Sequence, residues 1–322
     1  MMQSKVMVSI YCMAYNHEKY IADAIESFLM QKTNFAYEIL IHDDASTDRT
    51  AEIIKEYTSR YPDLMKPIYQ TENQYSKGAR PGKYNRERAQ GKYMAICEGD
   101  DYWTDPFKLQ KQVDYMEKHP ECSLCVHAAF RVSPDKTKLK SAVRPNQGNK
   151  LFTTEEVILG GGGLFATNSI MYPSVFKNRP GFFLISPVGD YPLAIYLALQ
   201  GTVYYIDEFM SAYRVGVPGS WTNRMASSSI EKRIEHINKI AKMLNEVNSY
   251  SGYKYDSAIT QKININKMNI MLEQGMYKEV KSGELKYLYD KLDTKTKTKY
   301  FIKHYFPHIT LFSIKLKRKF GR

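Results

Sequence analysis

The residue types best suited to chemistry lie in one acidic cluster, Glu98-Gly99-Asp100-Asp101-Tyr102-Trp103. Two adjacent carboxylates raise each other's pKa unless a cation or hydrogen bonds keep both ionised. A hard divalent cation, which binds one or two carboxylates together with phosphate oxygens, would resolve that conflict. The other interpretation is a solvated acidic turn before a helix, and the Asp100-Asp101 pair alone does not decide between the two.

The segments around the cluster place it at the end of a strand. Tyr93–Cys97 is a short apolar run that is typical of a buried strand. After the cluster, Asp105-Pro106 predicts a helix start, with an N-cap acid and a proline in the first turn. The acids therefore lie on the connection that leaves the carboxyl end of a strand, where open α/β sheets bind ligands.

Two earlier strands also end in polar residues. Val6–Tyr11 leads to Tyr15-Asn16, and Asn16 is predicted to cap the first helix; Tyr37–Ile41 leads to Asp43-Asp44. Strands that alternate with helices predict an α/β fold with a mostly parallel, Rossmann-like sheet that has helices on its faces. Three polar strand ends on one edge favour a functional site over three solvated turns.

Composition places the chain in an ordinary globular class. Of its 322 residues, 43% are hydrophobic and 25% charged, and no run approaches the roughly 18 apolar residues that a transmembrane helix needs. The N-terminal residues lack a secretory signal pattern, and the four cysteines suggest no disulfide framework. We expect a cytoplasmic protein.

The net charge of +12 is concentrated near the C-terminus. Residues 294–322 contain nine Lys or Arg and no acid, with aromatic residues interleaved. This composition is suited to an anionic membrane surface at the inner face of the plasma membrane, and the alternative is a small helical subdomain that packs its aromatics. No nucleic-acid-reading motif is present, so we expect no nucleic-acid partner.

Three ordered motifs resemble the inverting glycosyltransferases of family 2, which have the GT-A fold and include enzymes of bacterial polysaccharide synthesis. The motifs are Val8–Asn16, Ile41–Asp48 and Gly91–Asp101, and the resemblance covers roughly residues 5 to 225. It implies a nucleotide-sugar site formed by Met13, Ala14, Tyr15, Asp44 and Asp100. Met13 to Tyr15 would line the base pocket, Asp44 would accept a hydrogen bond from a pyrimidine, and Asp100 would contact the ribose side. Asp101 would bind a Mn²⁺ or Mg²⁺ cofactor that bridges the diphosphate.

The same resemblance assigns roles on the acceptor side. Asp190, at the start of a predicted helix, would be the general base, although an acid there is also a plain helix cap. The glycine run Gly160–Gly163 would form the acceptor-side wall or a flexible connection. The loop Tyr213–Trp221 would close over the diphosphate, with Arg214, Ser220 and Trp221 covering the donor. Many relatives have a histidine metal ligand where this chain has Gly216.

We therefore expect a GT-A catalytic domain over residues 1–228, followed by a helical, basic C-terminal region over 229–322. In that domain, residues 1–130 would bind the nucleotide sugar and residues 131–228 the acceptor. The expected activity is metal-assisted transfer of a hexosyl or N-acetylhexosaminyl group, with inversion, from a UDP-sugar to a hydroxyl of a glycan or lipid-linked acceptor in cell-surface polysaccharide synthesis. The alternatives are a non-catalytic nucleotide-sugar or glycan-binding module and a sugar nucleotidyltransferase.

Overall fold

The chain divides into a larger unit built on a β-sheet and a smaller helical unit. The computed structural model describes residues 5–305. The larger unit extends to Phe183 and resumes over Val188–Ala226, while the smaller unit comprises Leu184–Pro187 and the chain from Ser227 onward. In the described part of the chain, no helix has both the length and the apolar character needed to span a bilayer.

A mixed sheet forms the centre of the larger unit. Its strands are β1 (Val8–Ala14), β2 (Tyr37–Asp43), β3 (Met65–Tyr69), β4 (Tyr93–Ile96), β5 (Tyr102–Trp103), β6 (Cys122–Val132), β7 (Lys138–Val143), β8 (Lys150–Phe152), β9 (Met171–Pro173) and β10 (Thr202–Arg214). The strand order is β3-β2-β1-β4-β9-β6-β10-β5, with β7 beside β6 and β8 beside β10. Because β3, β2, β1 and β4 run parallel, the carboxyl ends of β1, β2 and β4 share one edge.

Short helices connect the strands. They are α1 (Ile21–Leu29), α2 (Thr50–Arg60), α3 (Gly82–Arg88), α4 (Lys108–Lys118), α5 (Thr154–Gly160), α6 (Phe182–Ile185), α7 (Asp190–Ala198) and α8 (Trp221–Ala226). Single 3₁₀ turns cover Gly161–Gly163, Thr167–Ser169 and Ser174–Lys177. α1 turns its apolar face, with Ile21, Ile25 and Phe28, into the core, where the Phe28 ring lies 4.9 Å from that of Trp103.

The predicted α/β architecture is confirmed, and its two halves differ in strand direction. Parallel strands alternate with helices up to β4, as the sequence indicated. Beyond β4 the sheet contains antiparallel pairs, because the three-residue strand β9 runs between β4 and β6 in the opposite direction to both. So short a strand carries no recognisable periodicity.

Asn16 does not cap α1, in contrast to the prediction. The helix begins only at Ile21 and has no side-chain cap. Asn16 instead adopts a left-handed backbone, with φ of 55°, which asparagine tolerates better than most residues. Its side-chain oxygen accepts a hydrogen bond from the Thr47 backbone N–H at 2.8 Å. Asn16 therefore joins two loops at the sheet edge instead of starting a helix.

The smaller unit is helical as far as the structure describes it. Its helices are α9 (Ile230–Tyr250), α10 (Asp256–Glu273), α11 (Tyr277–Ser282), α12 (Lys286–Asp290) and α13 (Thr294–Tyr305). Its core includes Met268, Leu272, Val280 and Leu288, and Tyr300 of α13 packs against it. The rest of the predicted membrane-binding tail, residues 306–322, lies outside the described residues.

Candidate active site

The loops that follow β1, β2 and β4 are joined by hydrogen bonds at the carboxyl edge of the sheet. The Gly99 N–H donates to the Met13 carbonyl at 2.8 Å, and the Asp44 N–H donates to the Ala14 carbonyl at 2.9 Å. A Cβ on Gly99 would lie 2.9 Å from His17 Nδ1 and 3.2 Å from the Met13 carbonyl oxygen. The backbone at position 99 therefore comes too close to His17 and Met13 for a side chain larger than that of glycine. The three predicted polar segments thus meet at this edge of the sheet.

Glu98 and Asp100 carry carboxylates that lack partners in the part of the chain that the structure describes. Both side chains are half-buried, and neither carboxylate has a hydrogen bond or an ion pair with the residues that the structure describes. Burial, followed by the nearby charges of Asp100 and Asp190, raises the pKa of Glu98 to about 8. Within residues 5–305, neither of these two carboxylates of the acidic turn (Glu98–Asp101) is therefore paired with a cationic side chain.

Asp101 has the opposite environment. It is 1% exposed, its Oδ1 accepts from the Arg214 backbone N–H at 2.7 Å, and its Oδ2 accepts from Asn168 Nδ2 at 2.9 Å. Burial, with the adjacent Asp100 second, raises its pKa well above the usual range, while the Arg214 N–H opposes that shift. Both oxygens of Asp101 thus bind protein N–H groups within the fold.

Arg214 holds the acidic turn from beneath. Its guanidinium donates to the Asp100 carbonyl at 2.6 Å and forms an ion pair with Asp23 of α1. The same group lies 5.0 Å from the centre of the Tyr20 ring and 4.8 Å from that of Tyr102, within cation–π range. The Arg214 side chain is fully buried, so it supports the turn instead of lying over a donor as the sequence suggested.

Asp190 is the first residue of α7 and lies near the acidic turn, where its charge contributes to the raised pKa of Glu98. Burial raises the pKa of the Asp190 carboxyl, and the Tyr191 N–H, which donates to Asp190 Oδ1 at 2.7 Å, opposes that shift. The Thr167 side chain opposes it as well. The fold thus brings Glu98, Asp100 and Asp190 to one region.

The sequence pattern of "Glycosyl transferase family 2" matches residues 9–177, which is more than half of the 322 residues. The chain belongs to glycosyl transferase family 2. The match includes the acidic turn and the loops after β1 and β2, and it stops before Asp190.

Relatives of this family 2 chain occur in several bacteria. An uncharacterized protein of Mycobacterium tuberculosis is 37% identical over 219 residues, which are 66% of this chain and 60% of that protein. The Escherichia coli protein WfaP, named as a UDP-Glc:alpha-D-GlcNAc-diphosphoundecaprenol beta-1,3-glucosyltransferase, is 37% identical over 112 residues, 34% of this chain and 41% of its own. The chain spans about 60% of the length of the first curated relatives that it matches.

Solved structures show the same GT-A fold. TarS from S. aureus, residues 1–349 in complex with UDP-GlcNAc, has a TM-score of 0.58 at 15% identity and covers 93% of this chain and 81% of its own. The mannosyltransferase PcManGT from Pyrobaculum calidifontis, in complex with GDP-Man and Mn²⁺, has a TM-score of 0.55 at 13% identity, covering 99% and 88%. At such low identity the likeness establishes the fold alone.

The metal ligand expected from the family 2 resemblance, Asp101, stays a prediction. Asp101 is buried, and each of its oxygens already accepts one hydrogen bond from a protein N–H group. Glu98 and Asp100 are more accessible candidates, because their carboxylates are half-buried and have no donors among the described residues. No set of three or more His, Cys, Asp or Glu side chains converges as a ligand group within residues 5–305. Two carboxylates completed by phosphate oxygens and water are a usual Mg²⁺ arrangement.

The predicted nucleotide-binding residues line the same edge but differ in accessibility. Tyr15 is 43% exposed, whereas Ala14 is buried. Asp44 is buried too, and its two oxygens accept the backbone N–H groups of Gln74 and Tyr75 at 2.9 and 3.0 Å. Asp44 therefore anchors the loop after β3. Its contact with a pyrimidine stays a prediction, and a pyrimidine N–H would share the Asp44 carboxylate with these two hydrogen bonds.

The glycine run Gly160–Gly163, which was expected to form an acceptor-side wall or a flexible connection, lies against Asp190. A Cβ on Gly162 would lie 3.5 Å from Tyr191 Cβ and 4.0 Å from Asp190 Oδ1. Gly161 adopts a φ of 73°, which ends α5 and turns the chain toward α7. The predicted closing loop Tyr213–Trp221 begins at the end of β10 and ends at Trp221, the first residue of α8, which is 40% exposed.

Sequence reasoning missed Asn168 and Asp23, and it misplaced Arg214. Asn168 lies in a polar stretch after the glycine run and carries no motif, while Asp23 looks like an ordinary acid on the outer face of α1. Arg214 was assigned to a closing loop, although it is the last residue of β10. Asn168 and Arg214 bind the acidic turn directly, and Asp23 is linked to it through its ion pair with Arg214. These contacts depend on tertiary structure.

Proposed function

We propose that this chain is an inverting glycosyltransferase, which transfers a sugar from a nucleoside-diphosphate donor to a hydroxyl of a glycan or lipid-linked acceptor in cell-surface polysaccharide synthesis. The observation that carries the proposal is the group of three carboxylates in a family 2 chain: Glu98 and Asp100, which have no partners within residues 5–305, and Asp190 close to them. Residues 1–130 would bind the donor, residues 131–228 the acceptor, and residues 229–322 would form a separate helical region.

A UDP-sugar that carries a hexose or an N-acetylhexosamine is the proposed donor. The support comes from similar proteins: TarS was solved with UDP-GlcNAc, and the name of the E. coli relative specifies a UDP-glucose donor. PcManGT was solved with GDP-Man, so the fold also accepts another base. Met13, Ala14 and Tyr15 would line the base pocket beside Asp44.

In the proposed reaction the Asp190 carboxylate accepts the proton of the acceptor hydroxyl while that oxygen attacks the anomeric carbon. The bond from the anomeric carbon to the diphosphate oxygen breaks, and its electron pair leaves with the nucleoside diphosphate. Attack opposite the leaving group inverts the anomeric configuration. The raised pKa of Asp190, which follows from its burial, makes its carboxylate a stronger base than an exposed aspartate.

Glu98 and Asp100 would hold a Mn²⁺ or Mg²⁺ ion in this proposal. Such an ion, when bound, neutralises the charge that develops on the departing diphosphate. The residues of the chain keep the two carboxylates in place: Arg214 binds the Asp100 carbonyl from beneath, and Asp101 ties the turn to β10.

Asp190→Asn tests the proposal. We expect kcat for transfer to fall by about 10² or more, as is typical when a general base is lost, while the Kd for UDP stays unchanged. Product from the wild-type protein, analysed by NMR of the anomeric proton, should have inverted configuration. Retained configuration, or full activity of the variant, would refute the mechanism. UDP binding without any transfer would point to the non-catalytic binding module, and formation of a nucleotide sugar from a sugar phosphate to the nucleotidyltransferase.

A further inference from the structure

A cavity of about 10 Å³ lies beside Asp190 in the larger unit. Two glycines, three apolar residues and one acid form most of its wall, namely Gly161, Gly162, Phe165, Ile170, Ala194 and Asp190. This volume is about the least that one water molecule needs. The cavity therefore has room for a single oxygen atom, such as that of a hydroxyl group, and not for a sugar ring.

Tyr191 fixes the wall of the cavity around Asp190. Its backbone N–H donates to Asp190 Oδ1 at 2.7 Å, and its hydroxyl donates to the Ile158 carbonyl of α5 at 2.6 Å. The Tyr191 hydroxyl is thus already engaged, and Asp190 is the one described residue of the wall that carries a carboxylate. An O–H group that enters the cavity therefore meets the Asp190 carboxylate as its hydrogen-bond acceptor.

Gly162 keeps the cavity open because it has no side chain. A Cβ at this position would lie 3.5 Å from Tyr191 Cβ and 4.0 Å from Asp190 Oδ1. These are ordinary van der Waals distances, so a methyl group would be accommodated, but it would occupy the space beside the carboxylate. The next glycine differs, because a Cβ on Gly163 would meet no heavy atom of the described residues within 4 Å.

The cavity lies close to solvent. Gly162 is exposed and Asp190 is half-buried, so a group from outside can approach the carboxylate past the glycine. Phe165 and Ile170 give the wall an apolar surface, against which the C–H groups beside a sugar hydroxyl can pack. The walls thus combine one proton acceptor with an apolar surface, which matches the chemistry of a sugar alcohol.

We infer that this cavity receives the hydroxyl oxygen of the acceptor, and that Gly162 is a specificity-determining residue, which lets a hydroxyl and no larger group reach Asp190. The inference rests on the proposed function, in which Asp190 accepts the proton of that hydroxyl. Direct displacement needs the reacting atoms about 3–3.5 Å apart and aligned, and a displacement of about 1 Å can cost roughly 10²-fold in rate. A methyl group in the cavity would impose such a displacement on the attacking oxygen.

Gly162→Ala is the principal test, with Gly163→Ala as the matched control, since neither glycine has a left-handed backbone. The probe reaction is UDP release from UDP-glucose or UDP-GlcNAc with water as the acceptor, because one water molecule fits the cavity. We expect the rate to fall about tenfold or more in Gly162→Ala, with the Kd for UDP unchanged. Gly163→Ala should keep the wild-type rate, because its methyl group enters open space. The wild-type rate in Gly162→Ala, or equal losses in both variants, would overturn the inference.

The pKa of Asp190 provides a second measurement, which needs no turnover. It is obtained by ¹³C NMR titration of the carboxyl carbon, with Asp190→Asn identifying the resonance. A methyl group that replaces water beside the carboxylate should raise this pKa in Gly162→Ala and not in Gly163→Ala. An unchanged pKa in Gly162→Ala would mean that the cavity does not give solvent access to the carboxylate, which contradicts the inference.

The failure of this inference is distinguishable from failure of the proposed function. If the chain is not a glycosyltransferase, the wild-type protein shows neither transfer nor hydrolysis with any UDP-sugar, and the inference fails with the proposal. If only the inference fails, the wild type is active and Gly162→Ala matches it.

Discussion

Asp100 and Asp101 are neighbours of the same residue type with different surroundings, and their variants should therefore differ. The Asp100 side chain has no partner among the described residues, whereas Asp101 binds two protein N–H groups. We expect Asp100→Asn to abolish any increase in UDP affinity on addition of Mn²⁺, because it removes an anionic ligand from the proposed metal site. Calorimetric titration of UDP with and without Mn²⁺ measures this directly.

Asp101→Asn is the matched control for that experiment. The new amide would direct an NH₂ group at Asn168 Nδ2 or at the Arg214 N–H, which leaves a buried donor unsatisfied at a cost of about 1–3 kcal/mol in the free energy of unfolding. We expect a lower melting temperature with the Mn²⁺ effect retained. The reverse pattern, with the Mn²⁺ effect lost only in Asp101→Asn, would restore Asp101 as the metal ligand.

Helix α4 begins with a charged residue in the core. Lys108 is fully buried, its Nζ lacks a hydrogen-bond partner within residues 5–305, and it lies 3.9 Å from the centre of the Trp103 ring. Burial lowers the pKa of Lys108 to about 7. We expect Lys108→Met to raise the free energy of unfolding by about 1–3 kcal/mol at pH 7, because it replaces an unsatisfied buried group by an apolar one of similar length.

The increase in the free energy of unfolding caused by Lys108→Met should become smaller as the pH rises. Between about pH 7 and the unfolded-state pKa of roughly 10.4, the unfolded chain binds a proton at Lys108 that the folded protein does not, so wild-type stability rises with pH there. The difference in melting temperature between variant and wild type should therefore shrink from pH 7 to pH 9. A constant or growing difference would mean that the folded protein keeps the lysine charged across this range.

The excess positive charge of the chain is concentrated near the C-terminus. Replacing basic residues there tests the proposed membrane contact. The sequence segment 315–319 contains four basic residues, namely Lys315, Lys317, Arg318 and Lys319. Each basic residue at an anionic surface contributes about 1 kcal/mol, so their joint replacement by glutamine should weaken sedimentation with phosphatidylserine vesicles by roughly tenfold or more at low salt.

A charge-preserving variant provides the control for the vesicle experiment. Lys315→Arg, Lys317→Arg and Lys319→Arg together keep the charge, and the variant should bind as the wild type does. Equal sedimentation of the glutamine and arginine variants would remove the tail from membrane binding. It would favour the alternative that the aromatics of this region pack within the smaller unit, as Tyr300 does.

Local patterns were enough to predict the strands β1, β2 and β4, the helices α1, α2 and α4, and the meeting of three polar loops at one edge, whereas β3 and α3 were not predicted. The physical reason is that buried parallel strands are short apolar runs, and parallel strands necessarily bring their carboxyl ends to one side of a sheet. The position of Asp190 at a helix start was predictable for the same kind of local reason, since its neighbours alone define α7.

Only tertiary contacts decided which of the acidic side chains bind protein N–H groups and which do not. Asp101 receives its hydrogen bonds from Asn168 and Arg214, which are 67 and 113 residues away in the sequence. Asn168 and Arg214 reach Asp101 because β9 and β10 belong to the second half of the sheet. With three residues, β9 is too short to be recognised from the sequence. An aspartate's environment determines whether its carboxylate is free for a cation or bound within the fold, and that environment depends on distant residues that no local spacing encodes.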